Sequence, residues 1–290
     1  MNNLALKEFY AVTFGGTVLC FNAGFINVVT LAGSYSATVS HVTGNITRMA
    51  ISMFQEDPTT LALVTAIVFS YTLGSFLAGF LVGDSRFQLG KSYGYALLIE
   101  CGFLFISFLC LKKELVIGNW FAAFACGLQN AICTSYSGFA VRTTHMTGIV
   151  TDIGNILGIY CRKDATNADM WRLKVLIPLL VGYILGALAG QFIYRHLDDN
   201  AMLFPCIFVG SLGSTYLLLP VVAEAKKLIK SGILPQLGDH IPSPFSHKEF
   251  PIESPGYKST VEASPSRVNI DGKVSFNARV DEDEESFAHF

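Results

Sequence analysis

The chain has 290 residues, of which 51% are hydrophobic and only 14% charged, and its mean hydropathy of +0.47 excludes an ordinary soluble domain. The net charge of -2 averages two unlike parts, an apolar stretch to about residue 223 and a charged, Ser- and Pro-rich stretch from 224 to 290. It therefore says little about partners, and nucleic acid is not expected among them. Cysteines stand at 20, 101, 110, 126, 133, 161 and 206, odd in number and without a Cys-x-x-Cys pair, which indicates neither a disulfide framework nor a zinc site and reads them as packing residues.

In chain order, Lys7 and Glu8 precede an apolar run from about Tyr10 to Gly33. It exceeds the roughly 7–15 residues of a signal-peptide core, so an uncleaved first span is expected. Apolar runs follow at about 60–83, 93–111, 117–140, 173–194 and 203–222. Each approaches the ~20 residues that a ~30 Å hydrocarbon core demands. Because backbone amides in lipid must be satisfied within their own segment, such runs predict helices. The fold class expected is all-α, a polytopic helical membrane protein.

After the first run stands the polar phrase Ser40-His41-Val42-Thr43-Gly44-Asn45-Ile46-Thr47-Arg48, and after the fourth stands Thr144-His145-Met146-Thr147-Gly148-Ile149-Val150-Thr151-Asp152. Each has a similar lead-in, Ala23-Gly24-Phe25-Ile26-Asn27 for the first and Cys126-Gly127-Leu128-Gln129-Asn130 for the second. The offset is 103 at Gly24/Gly127 and 104 at His41/His145. Such spacing suits a duplicated membrane module, with one copy over about 10–111 and the other over about 117–222. If the two phrases lie outside or re-enter the membrane, each half has three spans and the second copy is inverted. If both cross, each half has four and the copies run parallel. Lys and Arg asymmetry expects both termini in the cytoplasm either way, and does not separate the two.

Small residues recur at four-residue spacing, most clearly in Gly182-x-x-x-Gly186-x-x-x-Gly190, with Gly74-x-x-x-Ala78, Gly79-x-x-x-Gly83 and Gly210-x-x-x-Ser214 beside it. Such stripes let helix backbones approach within one bundle, and they leave a homo-oligomer open. Tyr71-Thr72-Leu73-Gly74 resembles Tyr183-Ile184-Leu185-Gly186. Residues 1–223 are expected to form the transmembrane bundle. The prolines and acidic run of 224–290 predict a disordered cytoplasmic tail, a platform for cytosolic partners, with Ser243-Pro244, Ser254-Pro255 and Ser264-Pro265 as phosphorylation candidates.

Ionisable groups in a membrane region are costly and raise a functional question, here for His41, Arg48, Glu100, His145 and Asp152. Arg48 and Asp152 each follow their histidine by seven residues and are expected to pair across a shared axis. Glu100 would partner Arg48 or reach the interface. Each Thr-Gly pair, Thr43-Gly44 and Thr147-Gly148, suits a break in a helix or a close helix crossing. The histidines read as proton relay, metal ligand or hydrogen-bonded structural residues, and the thin ligand set argues against a metal. Asn45-Ile46-Thr47 matches a glycosylation acceptor but lies inside the phrase. With Asn27, Asn45, Gln129 and Asn130 these residues make up the candidate polar centre. No hydrolase, metalloprotease or phosphate-binding signature occurs, so neither an enzyme nor a cofactor is expected.

At these phrases the chain resembles the YoaK-like family of uncharacterised membrane proteins, formerly a domain of unknown function. The family's approximate patterns, Ala-Gly-x-x-Asp with Ser-His-x-Thr-Gly-Asn and Gly-x-Gln-Asn-Ala with Thr-x-x-Thr-Gly, stand here as Ala23–Asn27, Ser40–Asn45, Gly127–Ala131 and Thr144–Gly148. The resemblance covers about 10–222 and implies a six-helix-type membrane protein of unestablished activity. Asn27 replaces the usual aspartate, which weakens a proton-coupling carboxylate at that position. The leading function is transport of an unknown small solute through a site formed by the two Thr-Gly phrases, with the lipid bilayer as the other partner. A non-transporting scaffold or receptor whose tail recruits partners is the alternative, and a membrane-embedded enzyme comes third.

Overall fold

The computed structural model describes residues 3–83, 91–137, 141–162 and 170–230. Among these residues there are helices and turns and no strand, as expected. Six helices are long: α1 (Asn3–Ala32), α3 (Pro58–Val82), α4 (Lys91–Leu111), α5 (Ile117–Ser137), α7 (Met170–Leu197) and α8 (Leu203–Lys230). Two are short: α2 (Val42–Phe54) and α6 (Met146–Tyr160). α8 continues past the boundary expected at 223, and the rest of the expected tail lies outside the described residues.

Four stretches are long and apolar enough to cross a membrane, marking an integral membrane protein: Val12–Ala32, Pro58–Val82, Lys91–Leu111, and Met170–Leu218, which runs through α7 into α8. Phe14, Phe69, Phe76, Phe80, Leu188 and Phe192 point outward from these helices, a surface suited to lipid. α5, expected as a span at 117–140, is not one of the four. Asn119, Gln129 and Asn130 lower its hydropathy. It tolerates them because Ala122, Ala123, Ala125, Cys126, Leu128 and Gln129 are all buried against protein, where polar groups find partners that lipid cannot offer.

Contact registers fix the helix directions. Gly182, Gly186 and Gly190 of α7 lie against Thr17, Phe21 and Phe25 of α1, so both indices rise together and the helices run parallel. The 3-10 turn Asp198–Met202 brings Asp199 beside Gly33, after which Phe204 packs back against Phe25, so α8 returns antiparallel to α7. Between α4 and α8, Gly94 meets Leu217, Leu97 meets Gly213 and Cys101 meets Gly210, an antiparallel register. α5 reverses α4 through a short turn, with Ser107 donating to the Gly118 carbonyl at 2.8 Å and Phe103 stacked on Phe124. Taking α1 as upward, α7 and α4 also run up, and α8 and α5 run down. Tyr35, just past α1, reaches the Glu114 carbonyl in the α4–α5 turn at 2.6 Å, which places both at the same upper end.

It follows that the chain enters and leaves the α2 segment at the upper end and the α6 segment at the lower. Their lengths agree: 13 and 15 residues at ~1.5 Å each give about 20 and 22 Å, short of a ~30 Å core. α2 packs on α3, and α6 on α7.

The principal packing is interlocked, since α1 packs on α7 and α5 on α3. A methyl group added at Gly24 would run into the Tyr183 carbonyl, and one at Gly186 into the Phe21 carbonyl. The same holds for Gly127 against the Tyr71 carbonyl and Gly74 against the Phe124 carbonyl. These glycines are needed because backbone touches backbone. The stripes at 182–190 and at Gly74 thus serve packing within the chain, whereas Gly79 and Gly83 face open space.

Candidate functional site

Polar side chains gather where α1 and α5 cross, and the chain reaches this crossing from both ends. After α1 the segment 33–41 folds back along the helix. The Ser40 amide donates to Asn27 Oδ1 at 3.1 Å, while Asn27 Nδ2 donates to the Ser40 hydroxyl and, at 2.8 Å, to the Tyr183 hydroxyl. From the other end the Thr144 amide donates to Asn130 Oδ1 at 3.2 Å, and the Thr144 and Tyr71 hydroxyls are 3.1 Å apart. Both clusters are built from an asparagine in a long helix, a hydroxyl residue at the tip of the returning segment and a tyrosine from the glycine-packed neighbour.

Between the clusters lies a bridge. Asn22 Nδ2 donates to Gln129 Oε1 at 2.7 Å; Gln129 Nε2 in turn reaches the Leu19 carbonyl at 3.0 Å and the Thr143 hydroxyl at 3.3 Å. Thr143 continues to Asn130 Oδ1 at 3.4 Å. Gln129 and Thr143 are fully buried and Asn22 nearly so. The groups satisfy each other, which is what allows neutral polar atoms to persist there.

The structure redistributes the expected site. Asn27, Gln129 and Asn130 stand in the crossing. His41 and His145 instead cap α2 and α6 and are exposed, without a side-chain capping bond. Each ring folds over its own helix, so that a methyl at Gly44 or Gly148 would strike the imidazole of His41 or His145. The Thr-Gly pairs therefore sit in a first helical turn rather than in a mid-helix break. Thr43 and Thr147 are exposed, their carbonyls accepting from Thr47 and Thr151 at 3.1 and 2.9 Å. Asn45 is buried and donates to the Thr38 carbonyl at 2.7 Å, holding the returning segment.

Arg48 and Asp152 do not pair. They lie at opposite ends of the bundle: Arg48 donates to the Ser36 carbonyl at 3.2 Å, and Asp152 bonds Arg172 of α7 at 2.9 Å. Nor does Glu100 reach Arg48 or the interface. It is 0% exposed in the middle of α4, and among the described residues neither carboxyl oxygen has a hydrogen-bond partner. No group of His, Cys, Asp and Glu among the described residues is arranged to hold a metal. An open hollow of about 280 Å³ lined by Ser52, Met53, Glu56, Asp57, Pro58 and Leu61 lies at the α2–α3 turn, away from the crossing.

Asn22, Ser40, Tyr71, Thr143, Thr144 and Tyr183 were missing from the sequence-based set. Tyr71 and Tyr183 stand in the two similar tetrapeptides, where the pattern reads as packing. Asn22 has no repeated counterpart, since Ala125 stands 103 residues on.

The family described as "Protein of unknown function (DUF1275)" matches residues 15–214. An uncharacterised membrane family was the expectation from the two motifs. No curated protein and no solved structure matches the chain.

Proposed function

This chain belongs to the DUF1275 family of proteins of unknown function, and we propose that it carries a small polar solute through the α1/α5 crossing as a six-crossing transporter built from two inverted, related halves. The observation that carries this reading is the pair of matching clusters, Asn27-Ser40-Tyr183 and Asn130-Thr144-Tyr71, approached from opposite ends and joined by Asn22 and Gln129. Residues related by offsets of 103, 104 and 112 make equivalent contacts, which favours duplication. Inverted repeats in transporters place their site at the repeat interface, among interrupted helices. The site proposed is thus the asparagine pair rather than the Thr-Gly pairs, whose role is to start α2 and α6 beside their histidines. The Lys and Arg asymmetry supports a cytoplasmic position for both termini.

A non-transporting scaffold is favoured by one observation, that the polar groups at the crossing bind one another. A thermal-shift screen of the purified protein over small metabolites separates the readings. A transporter gives ligands that stabilise the wild type and lose their effect in Asn27→Ala and Asn130→Ala. Ligands that stabilise these variants equally, or no ligand at all, would leave the scaffold.

A further inference from the structure

Glu100 is the one Asp, Glu, Lys or Arg within the stretches 9–33, 58–83, 92–111, 115–141, 175–194 and 203–223. Its carboxyl is wholly buried, and neither oxygen has a hydrogen-bond partner among the described residues. The antiparallel register of α4 and α5, with Phe103 on Phe124, sets Glu100 opposite Cys126, one turn from Gln129. The thiols of Cys126 and Cys133 on α5 lie within electrostatic reach. On α8, Cys206 faces Cys101, and Tyr216 lies within reach of Cys133 rather than of Glu100. Tyr71 of α3 lies within reach of Cys126, and Cys20 of α1 within reach of Cys133, and none of these groups is a cation. An ionised carboxylate in this position would have neither counter-charge nor donor, a cost of several kcal/mol that proteins avoid by leaving the group neutral.

We infer that Glu100 is a proton-binding site, holding its proton while α4 and α5 are closed and releasing it to water when they part, so that H⁺ is the coupling ion of transport. In the release step the carboxyl O–H bond breaks, the proton goes to water and the electron pair stays on the carboxylate; in the return step a proton from water on the other side restores the acid. A metal cation does not fit, because Na⁺- or Ca²⁺-sized ions need six or so oxygens, and thiols and apolar side chains surround this carboxyl. Gln129 offers the link to the solute: Cys126 and Gln129 share a face of α5, so movement of the crossing moves the surface that covers Glu100.

The coupling role rests on the transport reading above, whereas occupancy by a proton does not, and the test addresses occupancy first. Difference infrared spectra of the full-length protein in lipid are compared before and after transfer to D₂O, for wild type, Glu100→Gln and Glu100→Asp. The inference expects a carboxylic-acid carbonyl band in the wild type that is lost in Glu100→Gln, shifted in Glu100→Asp and downshifted by deuterium within minutes. No such band, or a band that stays unexchanged for many hours, overturns the proton site whatever the protein transports. Proteoliposomes loaded with a pH-sensitive dye then address coupling, with any solute that stabilises the protein as probe. Solute-driven acidification in the wild type and its loss in Glu100→Gln are expected. Solute uptake without proton movement overturns coupling while leaving transport intact.

Discussion

At the residue scale, the polar side chains divide into those that hold one another and those that face outward. Gln129 ties α5 to Asn22 and the Leu19 carbonyl of α1 and to Thr143, so Gln129→Leu leaves the buried Asn22 amide without its acceptor and is expected to destabilise the fold by about 1–3 kcal/mol. The double variant Asn22→Leu/Gln129→Leu should recover part of that loss, because the buried donor and its acceptor leave together. Melting in a bilayer mimetic decides, and strict additivity would deny the bridge. Arg172 and Asp152, both about two-fifths exposed, form a pair expected to couple by less than about 1 kcal/mol. Arg48→Ala and Asp152→Ala should add within about 0.5 kcal/mol, and larger coupling would contradict their separation to opposite ends. Asp57 is the half-buried cap of α3, accepting from the Thr59 and Thr60 amides. Hydrogen bonding from Thr60 holds its carboxyl below the ordinary value of 3.8. The folded pKa lies under the unfolded one, so the contribution is full above 3.8 and fades as pH falls through the folded value. The melting-temperature gap between wild type and Asp57→Ala should shrink correspondingly in acid.

Among the elements, α1 and α7 and likewise α5 and α3 meet backbone to backbone. Gly186→Ala and Gly74→Ala each place a methyl against a carbonyl and should cost about 1–3 kcal/mol, the range for overpacking. Gly79→Ala, facing open space, should change the melting temperature little. A comparable loss at all three would remove the close-approach account. The long helices were legible because apolar runs of spanning length admit few alternatives. α5 was legible as a helix but not as an interior one, since burial against polar partners is decided by neighbours far along the chain. The polar crossing was half legible for the same reason. Asn27, Gln129 and Asn130 stand in repeated phrases, whereas Tyr71 and Tyr183 acquire their role only through the glycine contacts that bring α3 and α7 alongside. The charged pair was misplaced because equal spacing after each histidine says nothing about which end of the bundle each copy occupies.

For the whole molecule, the proposed inversion has a direct test. With six crossings the α2–α3 turn and the end of α6 lie on opposite sides of the membrane; with eight they lie on the same side. A cysteine at Glu56, in a background otherwise free of cysteine, and the exposed Cys161 kept alone in the same background should react with an impermeant thiol reagent from opposite sides. Labelling of both from one side would restore the parallel arrangement.

The interlocking of α1 with α7 also has a consequence for biogenesis. Thr17 finds Gly182 only after some 165 further residues have been made, which at about 5–20 residues per second is on the order of ten to thirty seconds. Throughout that interval the glycine face of α1 waits in the bilayer for a surface that does not yet exist. Neither half, made alone, can complete the seam, because each supplies the other's partner. Fragments ending near residue 111 should therefore be degraded when expressed singly and persist when the remaining segment is supplied beside them. The first helix to enter the membrane would be among the last to take its final place.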